Sequence, residues 1–295
     1  VNRRQECLRH ELEFGWCLKL NRTWFISWLI HVGREEQPFR TIVDSRKLIE
    51  SRIMGFLKIL MGAVLFLPLA GAQTVDEIIA KNIQARGGLE NLRAVKTVRM
   101  TAKINQGGFR ATVVQENQRP NKVRQEFIIQ GMAEVEAYDG KAAWQVSPFE
   151  GRKDPSLLSA DDTKHLVEDA DIDGQLVDYK NKDHRAELLG HDSVEGTDCY
   201  KVKLTQANGD VRYYYIDTDS FLELKVETER NIRGTVQYGE TLLGDYEKVN
   251  GVYYPFSVDS GQKGSQFHTR VTVEKVEVNV PLDGSRFAMP GGGSK

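Results

Sequence analysis

Between residues 97 and 280 the apolar positions recur mostly at every second residue. Val98, Met100, Ala102 and Ile104 alternate with Arg99, Thr101 and Lys103, and Phe109, Ala111 and Val113 follow after Gly107-Gly108. Such a period of two puts one apolar and one polar face on each strand, as in an antiparallel sheet with a single packed side. Val123, Gln125, Phe127 and Ile129 continue the pattern after the turn Arg119-Pro120-Asn121. A strand over 133–138 then reaches the hairpin signal Asp139-Gly140, and 142–146 returns. From Pro148 to Lys182 the alternation stops, and Ser159 with Asp162 can cap a helix carrying Leu166, Val167 and Ala170. Strands resume at Leu188-Leu189 and at Tyr200, Val202 and Leu204. Asn208-Gly209 then turns into Val211, Tyr213 and Tyr215, facing Leu222, Leu224 and Val226. Further runs cover 235–238, 242–249, 252–258 and 267–280. In the last of these, Val271 and Val273 fall out of phase with Val276 and Val278, which predicts a bulge near Glu274-Lys275.

Ahead of the strands the period is helical. Thr74 followed by Glu77 is a capping-box pair, Val75, Ile78, Ile79 and Ile83 share one helical face, and Gly87-Gly88 ends the helix. A further helical turn is expected over 89–95. The reading predicts about ten or eleven strands and two principal helices. No strand alternates with a helix, which excludes a parallel βαβ sheet. A strongly curved antiparallel sheet or partial barrel buries so many one-sided strands, with the helices over its open side.

Residues 54–72 have a third pattern. Lys58 lies in a short positive segment after Met54, residues 59–69 are apolar, and Ala70-Gly71-Ala72 supplies the small residues of a cleavage site. The apolar run contains Pro68 and falls short of the roughly 20 residues of a spanning helix. It reads as a secretory signal, with a periplasmic product cut at about Ala72. Residues 1–53, which hold three of the four tryptophans and two of the three cysteines, are expected to be a mis-called or disordered upstream extension. Residues 73–295 are then one domain. Residues 1–72 carry 11 of the 40 basic and 7 of the 42 acidic residues, leaving 29 basic against 35 acidic, net −6. No basic excess remains to attract nucleic acid. Cys199, the last cysteine, has no partner for an internal disulfide.

Catalytic and metal signals are weak. Asp169-x-Asp171-x-Asp173-Gly174 opens like a calcium loop, but its twelfth position is Lys180, a cation where the ion needs a bidentate carboxylate. The histidines have no zinc spacing, and no G-x-S-x-G elbow is present. Glu134 and Glu136 share a strand face, and a solvated face explains them equally well. No cofactor, metal site or catalytic residue is expected. The aromatics are more informative, since a barrel of this size encloses more space than two helices fill.

Several short segments, in order, carry a resemblance. They are Ala85-Arg86-Gly87-Gly88-Leu89, Tyr138-Asp139-Gly140 with Trp144, and Asp171-Ile172-Asp173-Gly174 with Leu176-Val177-Asp178. Tyr213-Tyr214-Tyr215-Ile216-Asp217, Gly244-Asp245-Tyr246, Asn250 to Phe256 and Phe287 to Pro290 complete the set. Over residues 75–290 the chain resembles the outer-membrane lipoprotein-sorting (LolA/LolB-like) family. The resemblance implies a half-open antiparallel β-barrel closed by helices, around an apolar cavity that holds acyl chains of lipids or lipoproteins. Combined with the strand pattern, it places the cavity at Met100, Ile104, Val113, Phe127, Ile129, Trp144, Leu166, Tyr213, Tyr215, Leu224, Tyr254 and Phe256. The expected role is that of a non-enzymatic carrier or chaperone in envelope biogenesis. The alternatives are a lipid or stress sensor acting through an inner- or outer-membrane protein, and an enzyme of lipid or glycan metabolism.

Overall fold

A computed structural model describes residues 73–291; the stretches read above as a secretory signal and an upstream extension lie outside the described residues. Thirteen strands form one antiparallel sheet in the order β6-β5-β4-β3-β2-β1-β13-β12-β11-β10-β9-β8-β7. One half comprises β1 (Thr97–Gln106), β2 (Phe109–Gln118), β3 (Lys122–Ile129), β4 (Met132–Tyr138), β5 (Ala143–Ser147) and β6 (Arg152–Leu157). The other comprises β7 (Arg185–Val194), β8 (Thr197–Thr205), β9 (Val211–Asp217), β10 (Glu223–Ile232), β11 (Thr235–Val249), β12 (Val252–Gln262) and β13 (His268–Val278). The first and last strands join the halves at the centre, with Val98 opposite Val278 and Ile104 opposite Val271. β6 and β7 are free edges, so the sheet is not closed.

The strand count exceeds the sequence reading. β6 has the sequence RKDPSL, too polar to stand out as a strand. The runs 235–238 and 242–249 are one continuous 15-residue strand, β11. The predicted bulge is present: Thr101 pairs with Lys275 and Ala102 with Val273, which leaves Glu274 as the extra residue.

Three helices pack on one face of the sheet, its inner face. α1 (Val75–Ala85) starts with the expected capping box between Thr74 and Glu77. Its buried Ile78 and Ile79 pack with Val202, Leu204, Tyr214 and Ile216 of β8 and β9. α2 (Leu89–Ala94) places Leu92 against Val98, Val252 and Val276. Between α1 and α2, Gly87 has φ +126°, and a Cβ there would lie 2.2 Å from the Gly251 carbonyl oxygen, so the β11–β12 turn tolerates only glycine beneath it. α3 (Ala160–Asp169) is capped by the Ser159 side chain and packs Leu166 with Val123 and Ala143 of β3 and β5. The segment after α3 ties the assembly together. Leu176 joins the cluster under α1 and Val177 the cluster under α2, and Tyr179 donates a hydrogen bond to the Asp76 carboxylate (2.7 Å).

Contacts of α3 show how far the sheet curls. Asp169 accepts a hydrogen bond from Gln125 of β3, while its neighbour Glu168 pairs with Arg212 of β9. β3 and β9 are seven strand spacings apart in the sheet order. In a flat sheet that is about 34 Å at ~4.8 Å per strand, whereas consecutive Cα atoms lie ~3.8 Å apart. Both contacts are possible only because the two halves wrap around α3 as the walls of a trough.

Candidate functional site: the trough under the third helix

Strand pairing assigns each side chain to a face. Met100 opposes Val276, Ala102 opposes Val113, Val113 opposes Phe127, and Ile129 opposes Met132, so these residues share the inner face. On the other wall Leu243, Val258 and Val271 are in cross-strand register on that same face. Phe256 and Tyr254 pack with the cluster under α2, as do Met100, Val113 and Val271. Phe127, Ile129 and Val258 belong to the inner face yet lie outside the buried clusters and are only half-buried. Phe127 stacks on Phe109 at the β1–β2 turn, with ring centroids 6.2 Å apart. An apolar lane therefore runs along the inner face from the α2 cluster to the turns.

α3 crosses this lane with a polar underside. The Glu168 carboxylate is paired with both Arg212 and Arg230, which stand on adjacent strands β9 and β10. Burial alone would push its carboxyl up, but the two guanidinium groups hold it below the usual range. Burial pushes the Asp169 carboxyl up, against His165, Arg212 and the bond donated by Gln125. His165 lies 3.0 Å from Glu136 of β4. Partial burial works against its imidazolium, yet the Glu136 and Asp169 carboxylates outweigh it and raise the pKa above the ordinary value. Burial also raises the Glu134 carboxyl, which accepts a hydrogen bond from Ser147 (3.0 Å). Glu134 and Glu136 therefore belong to the trough wall. The tip of α3 is fixed to the β10–β11 turn: Lys164 donates to the Asn231 carbonyl (2.6 Å) and Arg233 pairs with Asp162 (2.7 Å).

Of the sequence-predicted cavity residues, eight gather at this trough: Met100, Ile104, Val113, Phe127, Ile129, Leu166, Tyr254 and Phe256. Leu166 is there as the buried foot of α3. Four are on the opposite face. Trp144 packs with Val135, Ala137 and Met289 and donates its indole N–H to the Phe287 carbonyl (2.8 Å), covered by the C-terminal segment. Tyr213, Tyr215 and Leu224 form an outer cluster with Cys199, Val194 and Leu242. In β9 the run Tyr213-Tyr214-Tyr215 is aromatic on both faces, so alternation alone cannot say which face is inner; Tyr214 and Ile216 take it. A register shift between Glu223 and Lys225 turns Leu224 outward. Glu168, Arg212 and Arg230 escaped the sequence reading. Arg212 shares the parity of Tyr214 and Ile216, and a lone cation on a packed face is the signal that could have found it.

The segment resembling a calcium loop has its carboxylates directed to separate partners. Asp169 accepts from Gln125, Asp171 pairs with Lys182 (2.5 Å) and Asp173 with Arg119 (2.5 Å). They act as ties between α3, the strap behind it and the sheet.

With this geometry, two solved structures superpose over nearly their whole length. A LolA superfamily protein from Nitrosomonas europaea matches with a TM-score of 0.51 and 12% identity, covering 74% of this chain and 98% of that one. The fold is LolA-like. A DUF1329 family protein from Desulfovibrio piger matches with a TM-score of 0.52 and 13% identity, covering 74% of this chain and 98% of that one. A family model described as an uncharacterized protein matches residues 159–290, from the cap of α3 to the C-terminal segment. No curated protein matches the chain.

Proposed function

We propose that this protein is an exported, non-enzymatic carrier or chaperone of the cell envelope that shelters acyl chains of lipids or lipoproteins in the trough. The observation that carries the reading is the half-buried apolar lane of Phe127, Ile129 and Val258, on the inner face of a sheet whose two halves wrap around α3. Burying an acyl chain stabilises by ~0.8 kcal/mol per methylene, so a sixteen-carbon tail gains about 12 kcal/mol before binding costs. The LolA-like fold and the secretory pattern at 54–72 support the same reading. α3 is the movable part: apart from the buried foot at Leu166, its underside is held by ion pairs and hydrogen bonds, whose groups water solvates again when the helix lifts.

The test is native mass spectrometry of the protein purified from an expressing bacterium, with extraction of bound lipid, followed by uptake of a dissolved fluorescent fatty acid. A stoichiometric acyl lipid and saturable uptake are expected. Phe127→Asp should lower uptake at least about tenfold by placing a carboxylate in the lane. Tyr213→Ser, on the outer face, should leave uptake intact. Equal uptake by Phe127→Asp and the unmodified protein would remove the trough assignment.

A further inference from the structure

The two ends of the sheet differ. Six turns, β1–β2, β3–β4, β5–β6, β8–β9, β10–β11 and β12–β13, lie at one end because every neighbouring pair is antiparallel and β13 starts where β1 finishes. Five of the nine exposed large hydrophobic residues among those described sit at or next to these turns: Phe109, Met132, Val236, Tyr238 and Phe267. Phe267 is 82% exposed and Met132 51%. They come from four separate hairpins. At the opposite end, the turns at 119–121, 139–142, 195–196, 218–220 and 250–251 themselves expose no large hydrophobic residue, and only Leu157, beside the 139–142 turn, and Leu89, next to the 250–251 turn, are exposed near them.

Beside Phe109 lies an open depression of about 790 Å³ around the β1–β2 turn. Lys103 and Arg110 line it together with the amides of Asn105 and Gln130 and the backbone of Gly107 and Gly108. Lys103 shares its charge with Glu274 (2.5 Å). Arg110 makes no ion pair with any described residue. Isolated apolar tips from several hairpins, next to a cationic pocket, match an interface of alternating hydrocarbon and anionic headgroups. A protein partner would favour a contiguous apolar patch instead.

We infer that this end of the sheet docks on an anionic phospholipid bilayer. Phe267, Met132, Val236 and Phe109 enter the acyl boundary while Lys103 and Arg110 hold a headgroup phosphate in the depression. Docking so placed sets the open lane, through Phe109 and Phe127, against the membrane, and in that respect the inference rests on the acyl-chain reading. A free phosphate ester has the same chemistry as the headgroup, and the experiment separates the two.

Flotation of the purified protein with phosphatidylcholine vesicles, with and without phosphatidylglycerol, tests the docking. About tenfold more protein should float with the anionic vesicles. Phe267→Ser combined with Val236→Ser should abolish flotation without lowering thermal stability, since both side chains are exposed. Lys103→Gln with Arg110→Gln should remove the preference for phosphatidylglycerol. Glycerol phosphate in solution should compete only weakly; full competition would assign the depression to a free phosphate ester and overturn the docking. Vesicle binding unchanged in the Phe267/Val236 variant, or no binding by the unmodified protein, would also overturn it. Uptake of dissolved fatty acid, measured in parallel, keeps the two readings apart. Uptake without flotation removes the docking alone, and flotation without uptake removes the acyl-chain reading alone.

Discussion

Glu168 concentrates more of the trough's electrostatics than any other described side chain. Its side chain is buried and pairs with two guanidinium groups, and its removal would leave Arg212 and Arg230 without their direct ion-pair partner. Breaking a buried ion pair by deleting one partner costs about 3–5 kcal/mol. Glu168→Gln should therefore lower the melting temperature by about 10 °C for a domain of this size, measured by calorimetry. His165 makes a pH-dependent contribution of known sign. Its pKa is raised in the fold, so folding takes up a proton and the stabilisation is fully present below the ordinary value of about 6.5. It is lost as the pH rises through the raised folded value. Hydrogen exchange of the α3 amides should thus be slower at about pH 6 than at about pH 8 after correction for intrinsic rates, and His165→Gln should flatten the difference. A steeper difference in the variant would assign the effect to another group. Asp169, Glu136 and Arg230 are the charged groups facing the ring.

At the scale of elements, what was legible in the sequence follows from whether its signal is local. The capping pairs Thr74/Glu77 and Ser159/Asp162 act within one turn, and both helices start where those residues place them. The β13 bulge shows as a phase change within a single strand and is found at Glu274. The direction each face points is a non-local property. Trp144 turned outward because a segment more than a hundred residues later covers it, and Tyr213 and Tyr215 because α1 claims Tyr214 and Ile216 from the other side. Two-thirds of the predicted cavity residues nonetheless gather at the trough, since strands with one strongly apolar face leave no choice of parity. α3 was expected as a cover; its polar underside was not, because the partners of Glu168 and His165 come from strands distant in the chain. Leu166→Ala, which removes the one fully buried foot of α3, should cost about 2–5 kcal/mol and loosen the helix from β3 and β5, seen as faster exchange of its amides.

For the whole molecule, an open sheet has two exposed edges, each a template for pairing with another chain. β6 is protected by Arg152, Lys153, Asp154 and Pro155, the last of which has no N–H to offer. Replacing Lys153 and Pro155 with valine should produce concentration-dependent association through β6, visible in light scattering, with little change in the far-ultraviolet spectrum of the monomer. The pairing of β1 with β13 has a temporal consequence. The chain emerges from the ribosome, and from any export channel, amino end first, so the seam joining the two walls is the last to be made. Until residues 268–278 arrive, β1 and β12 both wait with open hydrogen bonds at the centre of what will become the sheet. A chain interrupted shortly before that point carries nearly all of its lining residues but presents two adhesive half-sheets, a natural substrate for holding chaperones and proteases.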